Sequence, residues 1–408
     1  MFLYGGKTDQ YNAFGYDSAP WNNDLLFLSL TTAFDPSVPP WQYVSGSQNT
    51  SISSQGPTLA WHTVSAFNSS YSLIFGGSTG PLSTALPDNS DSAELLNVLN
   101  PIQPLFITYP EGWAGEPQRR MRHATASING SLYIIGGEAA DGSGNLFSTH
   151  YLFIPSTPIF IELPSENAPP GIMGHAAIIL LDGRLLVFGG ISQGQLISFS
   201  ECWVLDTTQS NLIWTLASID QSSLPSPRSS FAYVLLDDGR VLIQGGTDAT
   251  FQAAFVDGWI LDPSKNPMTW TLVPALSQLG GRKDHFAINA GGQVVFGFGA
   301  PSHSSLRPLF FIMKVSHRLR DQCTRRRRAA RLRRWRGNVP TYIFVYDGPP
   351  GFHHSSAEPF SDHHKRSSSP VDWSLRHGPK RSQRQPPFIT IKHGHRWGWK
   401  WRARRRGW

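Results

Sequence analysis

Leu186-Val-Phe-Gly-Gly190 is one of six copies of a short apolar run that ends in paired glycines. The others are Phe2-Leu-Tyr-Gly-Gly6, Leu73-Ile-Phe-Gly-Gly77, Tyr133-Ile-Ile-Gly-Gly137, Val241-Leu-Ile-Gln-Gly-Gly246 and the degraded Val294-Val-Phe-Gly-Phe-Gly299. Their first glycines, at 5, 76, 136, 189, 245 and 297, stand 71, 60, 53, 56 and 52 residues apart. A recurring period near about 50 residues marks an array of supersecondary units rather than two or three unrelated domains.

Working outward from the glycines, every copy after the first is preceded by a second apolar stretch and a tight-turn signal. The turns are Asn68-Ser-Ser70, Asn129-Gly130, Asp182-Gly183, Asp238-Gly239 and Gly291-Gly292. Asn-Gly and Asp-Gly tolerate the positive φ angles of a two-residue hairpin, so each unit opens with a hairpin that ends in the glycine pair. A polar loop follows, then a third apolar run, as in Cys202-Trp-Val-Leu-Asp206 and Gly258-Trp-Ile-Leu-Asp262. An aromatic residue marks a fourth strand at Trp41, Phe106, Phe160, Trp214 and Trp270. Four strands per unit make a propeller blade, and the fold class is all-β.

Composition agrees. Of 408 residues, 40% are hydrophobic and only 15% charged, with 38 Gly and 31 Pro, which fits a turn-rich β protein and excludes a helical bundle or coiled coil. Cys202 and Cys323 provide no disulfide framework. No apolar run approaches the ~18 residues of a membrane span, and Met1–Leu3 runs straight into Tyr4-Gly-Gly6, so neither a span nor a leader is expected in this chain.

On these residues the chain resembles a kelch-repeat β-propeller of the galactose oxidase/kelch type, over about residues 1–315. The shared features are an Arg/His before strand one, the double glycine after strand two, an Asp closing strand three and the Trp of strand four. About six four-stranded blades are expected, at roughly 1–44, 61–109, 122–163, 174–217, 228–273 and 283–315, the first and last incomplete. Because closure is not visible at either end, the natural N-terminus is expected upstream, with a signal peptide lost with it. Gly5, Gly6, Gly76, Gly77, Gly136, Gly137, Gly189, Gly190, Gly245 and Gly246 are expected to be structural, allowing close approach or a φ costly to other residues. Trp41, Trp214 and Trp270 are expected to fill the wedge between blades. The resemblance implies a non-catalytic scaffold binding a protein or carbohydrate partner, monomeric, and, as in fungal kelch propellers, secreted or at the cell surface.

The long connections all lie at one end of the blades, and that face is the candidate recognition surface. Its first loop carries Tyr11, Phe14, Tyr16 and Trp21, and Trp113 with Arg119 and Arg120 forms a second aromatic and cationic group of the kind interface hot spots favour. Their folding back onto the blade top is the competing reading. Asn49, Asn68 and Asn129 stand in N-glycosylation sequons. His62, His123, His175 and His285 recur just before strand one, with Ser230 near the same place in a fifth unit. Blade spacing sets them too far apart for one metal ion, and each is expected to hydrogen-bond within its own blade.

Galactose-oxidase-like copper chemistry is the enzymatic alternative that the resemblance raises. It implies two tyrosines, two histidines and a cysteine crosslinked to tyrosine, partly on a further domain. Cys202 sits instead in the strand-three pattern, where the next unit has Gly258. With no G-x-S-x-G, HExxH or phosphate-cradling loop, the chain reads as a non-enzyme without cofactor or metal.

The net charge of +7 is a sum of unlike parts. Residues 1–315 hold 12 Lys+Arg and 23 Asp+Glu, giving −11, and residues 316–408 hold 23 and 5, giving +18. The second region contains Arg325-Arg-Arg-Arg328 and ends in Trp397-Gly-Trp-Lys-Trp401, a pattern that could contact phosphates and stack on bases. Nucleic-acid binding is therefore the third reading. The expectation is a low-order tail arising from a frameshift or gene-model artefact, because Arg runs begin where a fourth strand is due.

Overall fold

The computed structural model describes residues 1–7, 19–32, 34–36, 38–45, 56–79, 93–107, 113–301 and 310–314. The chain divides into two compact units, Met1–Gly351 and Phe352–Trp408, and every described residue lies in the first. That unit is a β-propeller. Four antiparallel four-stranded sheets follow one another, flanked by a three-stranded sheet at each end of the series.

Sheet 1 is Phe2–Lys7, Trp21–Phe27 and Gln42–Ser45. Sheet 2 is Thr63–Ala66, Tyr71–Phe75, Ala93–Asn97 and Leu105–Ile107, and sheet 3 is Ala124–Ile128, Ser131–Ile135, Tyr151–Ile154 and Ile159–Glu162. Sheet 4 is Ala176–Ile179, Arg184–Phe188, Cys202–Asp206 and Trp214–Leu216, and sheet 5 is Ala232–Leu235, Val241–Gln244, Gly258–Asp262 and Thr269–Leu272. Sheet 6 is Phe286–Asn289, Gln293–Gly297 and Phe310–Lys314. Among the described residues, sheet 1 has no first strand and sheet 6 no fourth.

The middle of strand two in sheets 2 to 6 is apolar at consecutive positions, as in Leu185–Phe188 and Val241–Ile243, because both of its faces are covered. Successive side chains of a strand point to opposite sides, so Leu185 and Val187 enter the core shared with sheet 3 while Leu186 and Phe188 enter the core shared with sheet 5. The same division holds at Val241, Leu242 and Ile243. Each full burial contributes about 1.5–3 kcal/mol. The outer-strand aromatics fill the widening wedge: Trp214 lies in the core between sheets 3 and 4, and Trp270 in that between sheets 4 and 5.

The last of these cores joins the ends of the series. Leu28 and Val295, both essentially inaccessible, pack together with Trp41 and Phe286 between sheets 1 and 6. The Trp41 and Phe298 rings stand 5.9 Å apart. Closure, illegible in the sequence, is made by this face-to-face packing.

The glycine pair is the seam between neighbouring sheets. The second glycine's N–H donates to a carbonyl three residues before the next sheet's histidine position, which Phe231 fills in sheet 5: Gly6 to Leu59, Gly77 to Arg120, Gly137 to Ile172, Gly190 to Arg228 and Gly246 to Arg282, at 2.7–2.9 Å. The first glycine receives the next sheet's ring. A Cβ on Gly245 would stand 2.7 Å from His285 Cε1, and one on Gly189 would stand 2.7 Å from Phe231 Cε1. All ten paired glycines have positive φ.

Candidate functional site

The residue preceding each histidine position lies at the axis of the propeller, on the end that carries the long loops. These residues are Trp61, Arg122, Gly174, Ser230 and Asp284, all with φ between 53° and 61°. Their amides form a relay from sheet to sheet: Arg122 N–H donates to Trp61 O, Gly174 to Arg122 O, Ser230 to Gly174 O and Asp284 to Ser230 O, at 2.8–3.0 Å. The relay links these positions across five sheets at one mouth of the propeller.

There, cations and aromatic rings alternate. Lys7 Nζ lies 4.1 Å from the centre of the Trp21 ring and 4.4 Å from that of Trp61. The Arg122 guanidinium stands over Trp61 on one side, at 4.8 Å, and over Phe251 on the other, at 4.9 Å. Lys283 Nζ sits 5.5 Å from the Phe251 ring and donates to Phe251 O at 2.6 Å. Glu138 pairs with Arg122 at 3.2 Å. Rings positioned this way stabilise cations by about 0.5–2 kcal/mol each. The ladder therefore sets three cations among aromatic rings, with Glu138 paired to Arg122 and Asp284 in the relay beside Lys283.

Of the candidates named from sequence, Trp21 belongs to this ladder. Tyr11, Phe14, Tyr16 and Asn49 lie outside the described residues, as do residues 316–408. Trp113, Arg119 and Arg120 are corrected. Trp113 is buried against Phe153 and Phe160 at 5.1 and 6.1 Å in the core between sheets 2 and 3, and what surface it keeps lines the cleft beside Asn68 and Asn129. Arg119 and Arg120 are also buried. Arg120 donates to Gly136 O and Thr149 O, both at 2.9 Å, and stacks on Phe147, so it serves the carbonyl of a strained glycine rather than a ligand. Arg228 and Arg282 do the same for Gly245 O and Phe298 O.

For two of the recurring histidines the expectation is corrected, since His123 and His285 bind across sheets rather than within their own. His123 Nε2 pairs with Thr63 Oγ1 of the preceding sheet at 2.8 Å, and His285 Nε2 with Gln244 Oε1 at 2.6 Å. Burial holds His62 at about 4 and His175 and His285 at about 3, all well below the ordinary imidazole value. They are neutral spacers at physiological pH. Burial likewise pushes the Cys202 thiol up to about 12, leaving it a small apolar core group. Among the described residues no group of His, Cys, Asp or Glu is placed to hold a metal ion.

Asn68 and Asn129 stand exposed on hairpin turns at the opposite end of the blades. Asn68 Oδ1 accepts from the Ser70 and Tyr71 amides, both at 2.8 Å, which leaves its amide nitrogen outward. Both asparagines border a cleft of about 500 Å³ with Phe67, Tyr71, Phe153 and Pro155.

Residues 62–300 match the KLHDC2/KLHL20/DRC7 Kelch-repeats domain, which spans more than half of the chain. The chain belongs to the kelch-repeat family. Relatives of this kelch propeller include Adagio-like protein 1 of Oryza sativa subsp. japonica, 28% identical over 301 residues, which cover 70% of this chain and 42% of that protein. Adagio protein 3 of Arabidopsis thaliana is 26% identical over 283 residues, covering 67% and 40%. The flagellar outer arm dynein alpha chain of Chlamydomonas reinhardtii is 29% identical over 170 residues, 41% of this chain and 4% of that one. The kelch chain thus spans less than half the length of these relatives. Among its described residues no helix is long and apolar enough to cross a membrane.

The rest of the ladder was invisible to a reading along the sequence. Lys7, Trp61, Arg122, Phe251 and Lys283 come from different repeats, and no local motif unites them. The usable signal was positional: Lys7, Trp61 and Arg122 lie next to a glycine pair or a histidine position and Lys283 stands two residues before one, whereas Phe251 has no such marker.

Proposed function

We propose that this kelch propeller is a non-catalytic protein-binding scaffold whose axial mouth takes an acidic segment of its partner. The observation that carries this reading is the ladder of Lys7, Arg122 and Lys283 between Trp21, Trp61 and Phe251, with Glu138 paired to Arg122. Aromatic faces offer apolar contact for a partner's side chains, and the excess positive charge selects carboxylates and speeds their encounter. The exposed Asn68 and Asn129 are glycan acceptors if the protein follows the secretory route, and their place on the opposite face leaves the mouth clear.

Fluorescence anisotropy with a labelled glutamate decamer, using the full chain, tests the site. Binding that weakens at least tenfold in Arg122→Glu and falls with added salt supports it. A basic tail that captured the decamer by itself would bind the variant equally well, and that result sinks the proposal. A lysine decamer should not bind at the mouth.

A further inference from the structure

The hairpin turns of sheets 4 and 5 are charged where those of sheets 2 and 3 are not. In sheets 4 and 5 the turn carries Asp182 or Asp238, the residue after its glycine is Arg184 or Arg240, and strand three closes on Asp206 or Asp262. In sheets 2 and 3 the turn carries Asn68 or Asn129, strand two opens on Tyr71 or Ser131, and strand three closes on Asn97 or Ile154. The cleft of about 500 Å³ opens in this uncharged half, and no charged side chain lines it.

Four rings, Phe67, Tyr71, Trp113 and Phe153, line the cleft. Those of Phe67 and Tyr71 lie nearly parallel, 9° apart in plane with centroids 6.2 Å apart. The hairpin does not require this pair. Phe67 N–H donates to Tyr71 O across the turn, and the same bond joins Leu180 to Arg184, Leu236 to Arg240 and Ala290 to Gln293 in sheets 4 to 6. Polar groups border the rings. Tyr71 Oη accepts from Asn97 Nδ2 at 3.5 Å and keeps its own proton to donate. Asn68 Oδ1 is taken by two backbone amides, which leaves its Nδ2 as a donor. Ser156 stands where Thr208 and Ser264 donate to Asp206 and Asp262, at 2.6 and 2.5 Å, and Ile154 offers its hydroxyl no such acceptor.

We propose that this cleft between sheets 2 and 3 binds an uncharged pyranose saccharide. Its volume falls in the range of small-ligand sites, about 300–1,000 Å³, and it has their composition, a mainly apolar lining with a few polar groups. An ionic ligand would lose its hydration here with no countercharge to replace it. A pyranose brings an apolar C–H face for the rings of Phe67 and Tyr71. At its edge are hydroxyls, each both donor and acceptor, for the amides of Asn68 and Asn129 and the hydroxyls of Tyr71 and Ser156. A polyproline peptide, the other ligand that aromatic clefts take, has carbonyl acceptors but no N–H and would use only the donors of this rim. The site lies at the opposite end of the blades from the axial mouth, and neither depends on the other.

Saturation-transfer NMR titrations of the full chain with cellohexaose, mannohexaose and chitohexaose, each as a separate probe, test the cleft. Glycans on Asn68 or Asn129 would compete for it, so the chain is made in a bacterial host, which leaves both asparagines bare. At least one probe should receive saturation at its ring C–H protons. Tyr71→Ser, which copies Ser131 of sheet 3, should weaken that probe at least tenfold, while Arg122→Glu at the mouth leaves it unchanged. Asn129→Asp is a second variant with a different chemistry. It copies the turns of Asp182 and Asp238, places a carboxylate in the cleft and should also weaken binding at least tenfold. Binding of none of the three probes, binding that survives in either folded cleft variant, binding lost in Arg122→Glu, or a proline decamer bound in place of the saccharides overturns the proposal.

Discussion

At Gly245 one hydrogen atom decides whether two sheets meet. The residue has φ +66°, and a Cβ there would lie 2.6 Å from Arg282 O and 2.7 Å from His285 Cε1 of the next sheet. The left-handed backbone alone costs an alanine about 1–2 kcal/mol, and displacing the seam adds overpacking of about 1–3 kcal/mol. Gly245→Ala should therefore lose about 3 kcal/mol in urea denaturation. Gly144→Ala, at φ +75° with nothing within 4 Å among the described residues, should lose only the backbone cost. The histidines opposite such glycines set the pH response. His62, His175 and His285 are held at about 3–4 in the fold, whereas in the unfolded chain they take up protons near pH 6.5. Stability is then full above about pH 6.5 and is lost as pH falls toward 4, at up to about 1.4 kcal/mol per pH unit for each histidine. Phe231 already fills this position in sheet 5. His175→Phe should therefore flatten the fall of Tm between pH 7 and 5, and a slope equal to that of the parent chain would contradict the assignment.

Among the elements, the recurring arginine shows how far a sequence can be read. Strand two, its turn and its glycines were legible because their chemistry is local: an apolar run, an Asp-Gly and a backbone that demands positive φ. Arg120 was legible as a cation but not as a buried one, because the carbonyl it serves, Gly136 O, becomes visible only when the strand folds back. Its counterpart Arg228 adds a bidentate pair with Asp257, at 2.7 and 3.0 Å, where Arg120 has the uncharged Thr149 and Tyr151. Removing the carboxylate strands a fully buried guanidinium that keeps the Gly245 and Ser226 carbonyls as acceptors. Asp257→Ala should cost about 2–4 kcal/mol, toward the lower end for a broken buried pair. Thr149→Asp should move the other way, supplying Arg120 with the carboxylate it lacks and raising the urea midpoint. A drop in midpoint for Thr149→Asp would show that the two arginine sites are not equivalent.

For the whole molecule, the core of Leu28, Val295 and Trp41 determines whether the repeats behave as a line or a ring. In an open array each unit touches only its neighbours, so the end units fray and substitutions there have muted effects. Here the end sheets are tied to each other by side chains as inaccessible as those of any interior junction, with Leu28 at 0% exposure and Val295 at 1%. Leu28→Ala should therefore cost about 2–5 kcal/mol, as a buried leucine does in an ordinary core, and it should loosen both ends of the chain together. The interior comparison is Leu205→Ala, also fully buried, in the core between sheets 3 and 4. Hydrogen exchange distinguishes the two architectures. In a closed ring, Leu28→Ala accelerates the amides of Phe286–Asn289 in sheet 6 as much as those of Trp21–Phe27 in sheet 1, although more than 250 residues separate them. If exchange rises in sheet 1 alone while sheet 6 keeps its protection, the junction contributes no coupling and the six sheets act as a linear stack.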